Sequence, residues 1–408
     1  MPDSLGQIRV LDMSRILAGP WASQTLADMG ADVIKVERPG KGDDTRSWGP
    51  PYVRDRDGNN TSESAYFLCA NRGKRSICVD ISRQEGQELI RQFIPQTDVI
   101  IENYKVGGLK KYGLDYDALR ELNPGLIYCS ITGFGQTGPY ADQPGYDFLI
   151  QAMGGLMSIT GEKDGLPGGG PQKAGVALAD ITTGLYASIA ILAALVNRQQ
   201  TGQGDHIDLS LLDVQAAVLA NQAMNYLTTG VVPQRQGNGH PNIVPYQGFA
   251  TADGHIILAI GNDEQFARLC KVIGQPELAT DPRYSSNRER VSHRDTLVPI
   301  LEQALYRKTA AEWLARFRTE QIPSGPINSI DKVFADPQIR HRGMQKQLAH
   351  PLAGSVEVVA SPIRFSHSRS TSHRAPPLLG EHTDEVMTRV LGMDEGRIRD
   401  LHRRGVIQ

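Results

Sequence analysis

A two-part α/β protein built on a parallel sheet is predicted by three features of the sequence. Through the first two hundred residues, short β-branched runs alternate with segments of helical period, the pattern of consecutive βαβ units. Each run ends in a polar or glycine-containing loop, and ligands of open parallel sheets bind at such strand ends. Beyond residue 230 the alternation stops, and 408 residues exceed what one hydrophobic core usually serves.

Strands are expected at 9–12, 32–37, 75–80, 98–102 and 126–132, each carrying Val, Ile or Leu. Between them, 20–29, 84–94 and 116–122 repeat apolar residues at helical spacing, and Pro20 suits a first helical position. The most apolar helical run is 181–196; a strand at 206–210 then leads into a further helical run at 211–227. Residues 230–244, rich in Gly, Pro, Gln and Asn, read as a linker. A hairpin is expected over 246–261 around Ala252-Asp253-Gly254, followed by helices at 263–273, 294–306 and 310–320. The stretch 347–365 is strand-like, with breaks at Pro351 and Pro362.

Composition narrows the function classes. Hydrophobic residues at 40% and charged residues at 22% match an ordinary globular chain, which argues against disorder. With 43 basic against 45 acidic residues there is no global field to recruit nucleic acid or an anionic membrane, so neither partner is expected. The N-terminus lacks the basic start and apolar stretch of a signal peptide. Cys69, Cys78, Cys129 and Cys270 show no CxxC spacing, which suits reduced thiols and a cytoplasmic location. The apolar run 185–196 is shorter than the roughly 20 residues of a membrane span and reads as a core helix. No HxxxH or HExxH occurs, so no metal site is predicted; no GxSxG elbow and no GxGxxG turn occur either.

Basic side chains crowd the strand-end loops: Arg15, Arg38, Lys41, Arg46, Arg72, Lys74, Arg75, Lys105, Lys110 and Lys111. Singly each reads as a solvated charge; together they suit a ligand with several phosphates. Among the carboxylates, Asp180 stands where a glycine-punctuated loop meets the apolar run, at a helix start whose dipole favours the ionised form. Position alone leaves two readings. As an N-cap it would accept an amide hydrogen bond from Thr182 or Thr183, a common role for Asp; as an ionised, partly desolvated group it could be a nucleophile. Asp147 and Glu102 are the other candidates, with Glu102 assigned a structural hydrogen-bonding role.

Several motifs in order carry a resemblance: 12–20 (DMSRILAGP), 33–40 (VIKVERPG), 42–46 (GDDTR), 71–76 (NRGKRS), 102–104 (ENY) and 377–383 (PLLGEHT). They resemble the class III CoA-transferases of CaiB/BaiF type, a family that includes formyl-CoA and carnitine CoA-transferases and alpha-methylacyl-CoA racemases. The resemblance implies a nucleophilic aspartate in a Gly-x-x-x-x-Asp setting before a long helix, which Gly175 and Asp180 match. Racemase members carry histidine at the position of Tyr146; tyrosine removes one of two acid/base groups a racemase needs, which favours transfer. An isomerase and a non-catalytic CoA-binding protein are the competing readings.

By the same resemblance, CoA is expected at Leu17, Ala18, Arg38, Val79, Asn103, Tyr104, Lys111, Tyr146 and Asp147, with Arg15, Arg72 and Lys74 added from the basic supply. The wording is closest to the subgroup acting on succinate and glutarate or hydroxymethylglutarate, so succinyl-CoA and a dicarboxylic acid are the implied substrates, with no tightly bound cofactor. Arg72 leads Arg46 and Arg15 as partner for the distal carboxylate. The implied chemistry passes through an aspartyl anhydride and an aspartyl-CoA thioester. The implied architecture is a Rossmann-like large domain (1–229), completed by the C-terminal segment (331–408), with a smaller α+β domain (230–330). Two such chains would form an interlocked-ring homodimer.

Overall fold

The computed structural model describes residues 3–368 and 374–408. Contacts divide the chain into two compact units, the first Met1–Leu156 with Ala174–Met224 and Pro337–Gln408, the second Met157–Lys173 with Asn225–Asp336. The segment Met157–Lys173, which the sequence reading left in the large domain, thus clusters with the second unit.

The first unit is a mixed α/β structure around a six-stranded parallel sheet. Its strands are β1 (Arg9–Asp12), β2 (Asp32–Glu37), β5 (Arg75–Cys78), β6 (Val99–Glu102), β7 (Ile127–Thr132) and β8 (His206–Ser210), with β3 (Tyr52–Arg54) and β4 (Asn60–Ser64) forming a separate hairpin. The spatial order is β5-β2-β1-β6-β7-β8, every pairing parallel. Nearly all residues of β1, β2, β5, β6 and β7 are buried, as a sheet covered on both faces requires.

Helices α1 (Ala18–Asp28), α2 (Ala65–Leu68), α3 (Gln84–Phe93), α4 (Tyr116–Arg120), α5 (Asp147–Met153), α7 (Leu178–Thr201) and α8 (Leu211–Ala217) follow in chain order, while α6 (Leu156–Ile159) falls almost wholly in the second unit. One face of the sheet packs with α1 and α7: Val10, Ala22, Leu26, Ile101, Ile131, Ala187 and Ile191 share a core. The other face packs with α3 and the chain's end, where Leu89, Phe93, Met387, Leu401 and Ile407 join Leu11, Ile34 and Ile77. Ile407 also bridges Val79 at the tip of β5. The C-terminal segment is therefore part of the large unit's core.

The 24-residue α7 is long and apolar enough to cross a membrane by length and composition. Its buried stripe, Ala179, Asp180, Thr183, Ala187, Ile191 and Leu195, instead faces the sheet and α1. Gly184 sets how closely those helices approach. A methyl group there would lie 2.6 Å from the Ala18 carbonyl oxygen, so glycine lets α7 rest on the first turn of α1. Asp180 lies one turn ahead of Gly184 on the same stripe.

The predicted helix at 211–227 is two helices, α8 and α9 (Ala220–Thr229), broken where Ala220 takes a φ of 47°. The second unit holds the expected hairpin, β9 (Tyr246–Ala250) with β10 (His255–Ala259), to which β11 (Ser324–Pro326) adds a third strand. Helices α10 (Asp263–Val272), α11 (Asn287–Ser292), α12 (Arg294–Leu305) and α13 (Ala310–Thr319) enclose a core of Phe249, Leu258, Phe266, Leu301, Trp313 and Phe317.

Candidate active site

The sheet changes winding direction at β1. Strands β2 and β5 lie on one side of it and β6, β7 and β8 on the other, so the loops leaving β1 and β6 diverge at the carboxyl edge. That divergence opens the crevice where doubly wound sheets hold ligands. Two cavities, of about 330 and 200 Å³, occupy it. The larger is walled by Arg15, Arg38, Lys41, Val79 and Tyr104, and the smaller by Arg15, Leu17, Ala18, Asn103, Tyr104, Tyr146 and Asp180. Arg15 and Tyr104 are common to both, with the Arg15 guanidinium 5.5 Å from the centre of the Tyr104 ring.

Asp180 is the third residue of α7, not its cap; Ala177 occupies the N-cap position and its side chain caps nothing. The capping is done by Asp147 at the start of α5, whose Oδ1 accepts the amides of Ala179 (2.9 Å) and Asp180 (3.4 Å). Gln151 donates to the other oxygen of Asp147 at 2.7 Å and fixes its orientation. With its capping work done by a neighbour, the Asp180 carboxylate accepts no hydrogen bond among the described residues, and the residue is only 8% exposed at the cavity wall.

The helix dipole that favours the ionised form is opposed here by burial. Burial, and then the negative charge of Asp147, push Asp180 up to about 7. Loss of solvation exceeds the pull of the helix dipole, which is worth about 2 kcal/mol at most. Tyr66 faces the same charge: burial first, then Asp180, raises its hydroxyl to about 12. Nothing in the sequence marked Tyr66, because only the fold brings the start of α2 toward α7.

The remaining expected residues separate into two groups. Leu17, Ala18, Arg38, Val79, Asn103, Tyr104 and Tyr146 wall the cavities with Arg15, while Lys111 lies outside both, its Nζ 4.6 Å from the ring of Tyr112. Three cations are committed to the fold. Arg72 donates through Nε and Nη2 to Asp28, at 2.9 Å for the first, with both side chains nearly buried. Lys74 is fully buried, donating to Asp12 (3.0 Å), Asn71 (2.8 Å) and the Pro20 carbonyl (3.0 Å). Arg46 grips Glu37 with two 2.8 Å hydrogen bonds and Glu63 with one of 2.9 Å. None of the three lines either cavity: buried carboxylates hold Arg72 and Arg46, and one carboxylate, one amide oxygen and one carbonyl hold Lys74. Glu102 keeps its structural role, accepting the Tyr104 amide at 2.7 Å, and burial raises it to about 7. Among the described residues no cluster of three or more His, Cys, Asp or Glu could hold a metal ion.

The family model described as CoA-transferase family III matches residues 5–383. A succinate–glutarate CoA-transferase of Agrobacterium fabrum is 53% identical over 383 residues, covering 94% of this chain and 94% of that protein. A succinyl-CoA:glutarate CoA-transferase of Mus musculus is 45% identical, covering 98% of this chain and 89% of that protein. The crystal structure of a CaiB/BaiF family protein from Brucella suis superposes with a TM-score of 0.81 at 50% identity, covering 94% of this chain and 98% of that one.

Proposed function

Because the chain belongs to CoA-transferase family III, and so is a CoA-transferase, we propose that it moves CoA from succinyl-CoA to glutarate or a related dicarboxylate, with Asp180 as nucleophile. One observation carries this reading: a buried carboxylate free of hydrogen bonds among the described residues stands at the wall of the smaller cavity, which shares Arg15 and Tyr104 with a larger one that Arg38 and Lys41 also line. A carboxylate already hydrogen-bonded on both oxygens would make a poor nucleophile.

The CoA moiety takes the larger cavity, its phosphates toward Arg38 and Lys41, and the thioester reaches Asp180 past Leu17 and Ala18. The Asp180 oxygen attacks the thioester carbonyl, giving an aspartyl-succinyl anhydride and CoA thiolate. The thiolate then attacks the aspartyl carbonyl, releasing succinate and leaving an aspartyl-CoA thioester. The incoming carboxylate attacks that thioester to give a second mixed anhydride, and the returning thiolate takes the new acyl group and frees Asp180. The first turn of α1 has no side-chain cap, so the amides of Ala18 and Gly19 are available to a developing oxyanion.

Incubating the protein with succinyl-CoA and trapping with hydroxylamine or borohydride should place one modification on Asp180 by mass spectrometry. CoA binding without an adduct would leave a binding protein instead. A panel of succinate-like acids then sorts the acceptors, since pocket shape separates them by only about 1–3 kcal/mol per methylene.

With Arg72 and Arg46 committed elsewhere, Arg15 is the cation left for the distal carboxylate. It is half-exposed on the wall shared by the cavities, paired with Asp44 at 3.1 Å and lying over the Tyr104 ring. Arg15→Ala should raise KM for glutarate roughly tenfold or more, the size of one charge-assisted hydrogen-bonded pair. An equal loss of affinity for free CoA, which has no distal carboxylate, would move Arg15 to the CoA phosphates. The remaining apolar face of α7 (Leu185, Tyr186, Ile189 and Val196, 43–62% exposed) supports a homodimer, and the unpaired cysteines support a cytoplasmic setting. A monomer in solution scattering would remove the dimer.

A further inference from the structure

Ile16 is one of three non-glycine residues with positive φ among those described, at 71°. For a β-branched side chain this conformation is strained, and such strain persists only where the surroundings over-determine it. The backbone around Ile16 is indeed gripped by side chains from other elements. Lys35 on β2 donates to the Ser14 carbonyl (2.9 Å) and to Asp43 Oδ2 (2.8 Å). Asp43 Oδ1 accepts the Ile16 amide (3.2 Å). Asn103, at the end of β6, accepts the Arg15 amide (2.9 Å) and donates to the Arg15 carbonyl (2.7 Å). Lys35 and Asp43 are fully buried there, a cost the fold would not bear for a plain βα turn.

We propose that Asp43, Lys35 and Asn103 form a clamp that holds Ile16 in its left-handed conformation, and thereby aims Leu17 and Ala18, at the start of α1, into the cavity that contains Asp180. Asp43 and Asn103 are positioning residues, acting through Ile16 and not through contact with the reacting atoms. The inference rests on the transferase reading above. In the crevice between β1 and β6, the clamp ties a loop of one half of the sheet to a strand end of the other.

The test is a cycle between the clamp and the strain. Glycine adopts positive φ without cost, so Ile16→Gly should make the clamp dispensable. Asn103→Ala cuts half the clamp without stranding a charge, whereas Asp43→Ala leaves Lys35 unpaired and serves only as a second, harsher cut. With Ile16 in place, Asn103→Ala should lower kcat roughly tenfold or more, the mark of lost positioning; because Asn103 also walls the smaller cavity, its effect on KM for succinyl-CoA should be the same with and without Ile16→Gly. Added to the Ile16→Gly variant, the same substitution should cost less than about threefold. Amide hydrogen exchange of the 13–20 peptide reads the clamp independently of any acceptor acid: Asn103→Ala should speed exchange at 17 and 18 when Ile16 is present, with a smaller change in the Ile16→Gly variant. Equal kcat losses with and without Ile16→Gly, a loss confined to KM, or unchanged exchange would overturn the clamp. A wild-type protein without turnover or an Asp180 adduct would overturn the transferase reading, while the exchange arm still decides the clamp.

Discussion

Asp180→Asn abolishes transfer and, at the same time, stabilises the fold above neutral pH. The loss of turnover should reach roughly 10⁴-fold or more, because the neighbouring carboxylate, Asp147, is tied to the amides of Ala179 and Asp180 and to Gln151. The gain in stability follows from where the carboxylate sits. Burial and the charge of Asp147 raise its folded pKa from 3.8 to about 7, so the native protein holds a proton there that the unfolded chain releases. Between pH 4 and 7 the native state binds more protons than the unfolded state, and stability falls as pH rises through that window. Above pH 7 the penalty is complete, of the order of 2–4 kcal/mol from the size of the shift. Asparagine is neutral throughout and escapes it.

Thermal melts at pH 5 and pH 8 check the sign. The variant should melt above the wild type at pH 8, and the difference should shrink towards pH 5. A difference independent of pH would mean that Asp180 is not the titrating group. Activity should follow the opposite course, with kcat/KM rising with pH to a plateau above about 7 as the nucleophile ionises. The carboxylate that weakens the native state is the one whose ionised form reacts, which places the protein on the usual trade between stability and activity.

The sheet was legible because its strands are buried on both faces and therefore spell out unbroken Val and Ile runs, as in β6 (Val99–Glu102). Asp180 was legible as a residue but not as an environment. Its burial, and the cap supplied by Asp147 from 33 residues earlier in the sequence, are tertiary facts that no local pattern encodes. The reading of Arg72 and Lys74 as ligand cations did not foresee their buried partners, for a related reason. A lysine in a strand-end loop looks the same whether it faces solvent or a buried aspartate 62 residues away. The strain at Ile16 was invisible because isoleucine is a residue that sequence reasoning assigns to extended backbone.

Lys74 gives the second large effect, and it is one of folding. Its ammonium and the Asp12 carboxylate are both fully buried, and Asp12 also accepts from Ser23 at 2.6 Å. Burial alone would raise the pKa of Asp12, but Lys74, Lys35 and the hydroxyls of Ser14 and Ser23 outweigh it and hold the group well below the usual carboxylate range. Lys74→Met removes one of those cations and leaves the charge under the first turn of α1. Removing one partner of such a pair typically costs about 3–5 kcal/mol, which should show as a clear drop in melting temperature and in soluble yield. Lys35 remains 2.8 Å from Asp43 and is too committed to compensate fully. The deficit should be larger at pH 8 than at pH 5, since the stranded Asp12 takes up a proton as pH falls and sheds its buried charge. Combining Lys74→Met with Asp12→Asn should recover part of the loss, because two neutral groups of similar size replace two buried ions. Protein that does fold should bind acyl-CoA with nearly unchanged affinity. A normal melting temperature with a raised KM for succinyl-CoA would return Lys74 to the CoA site and undo this assignment.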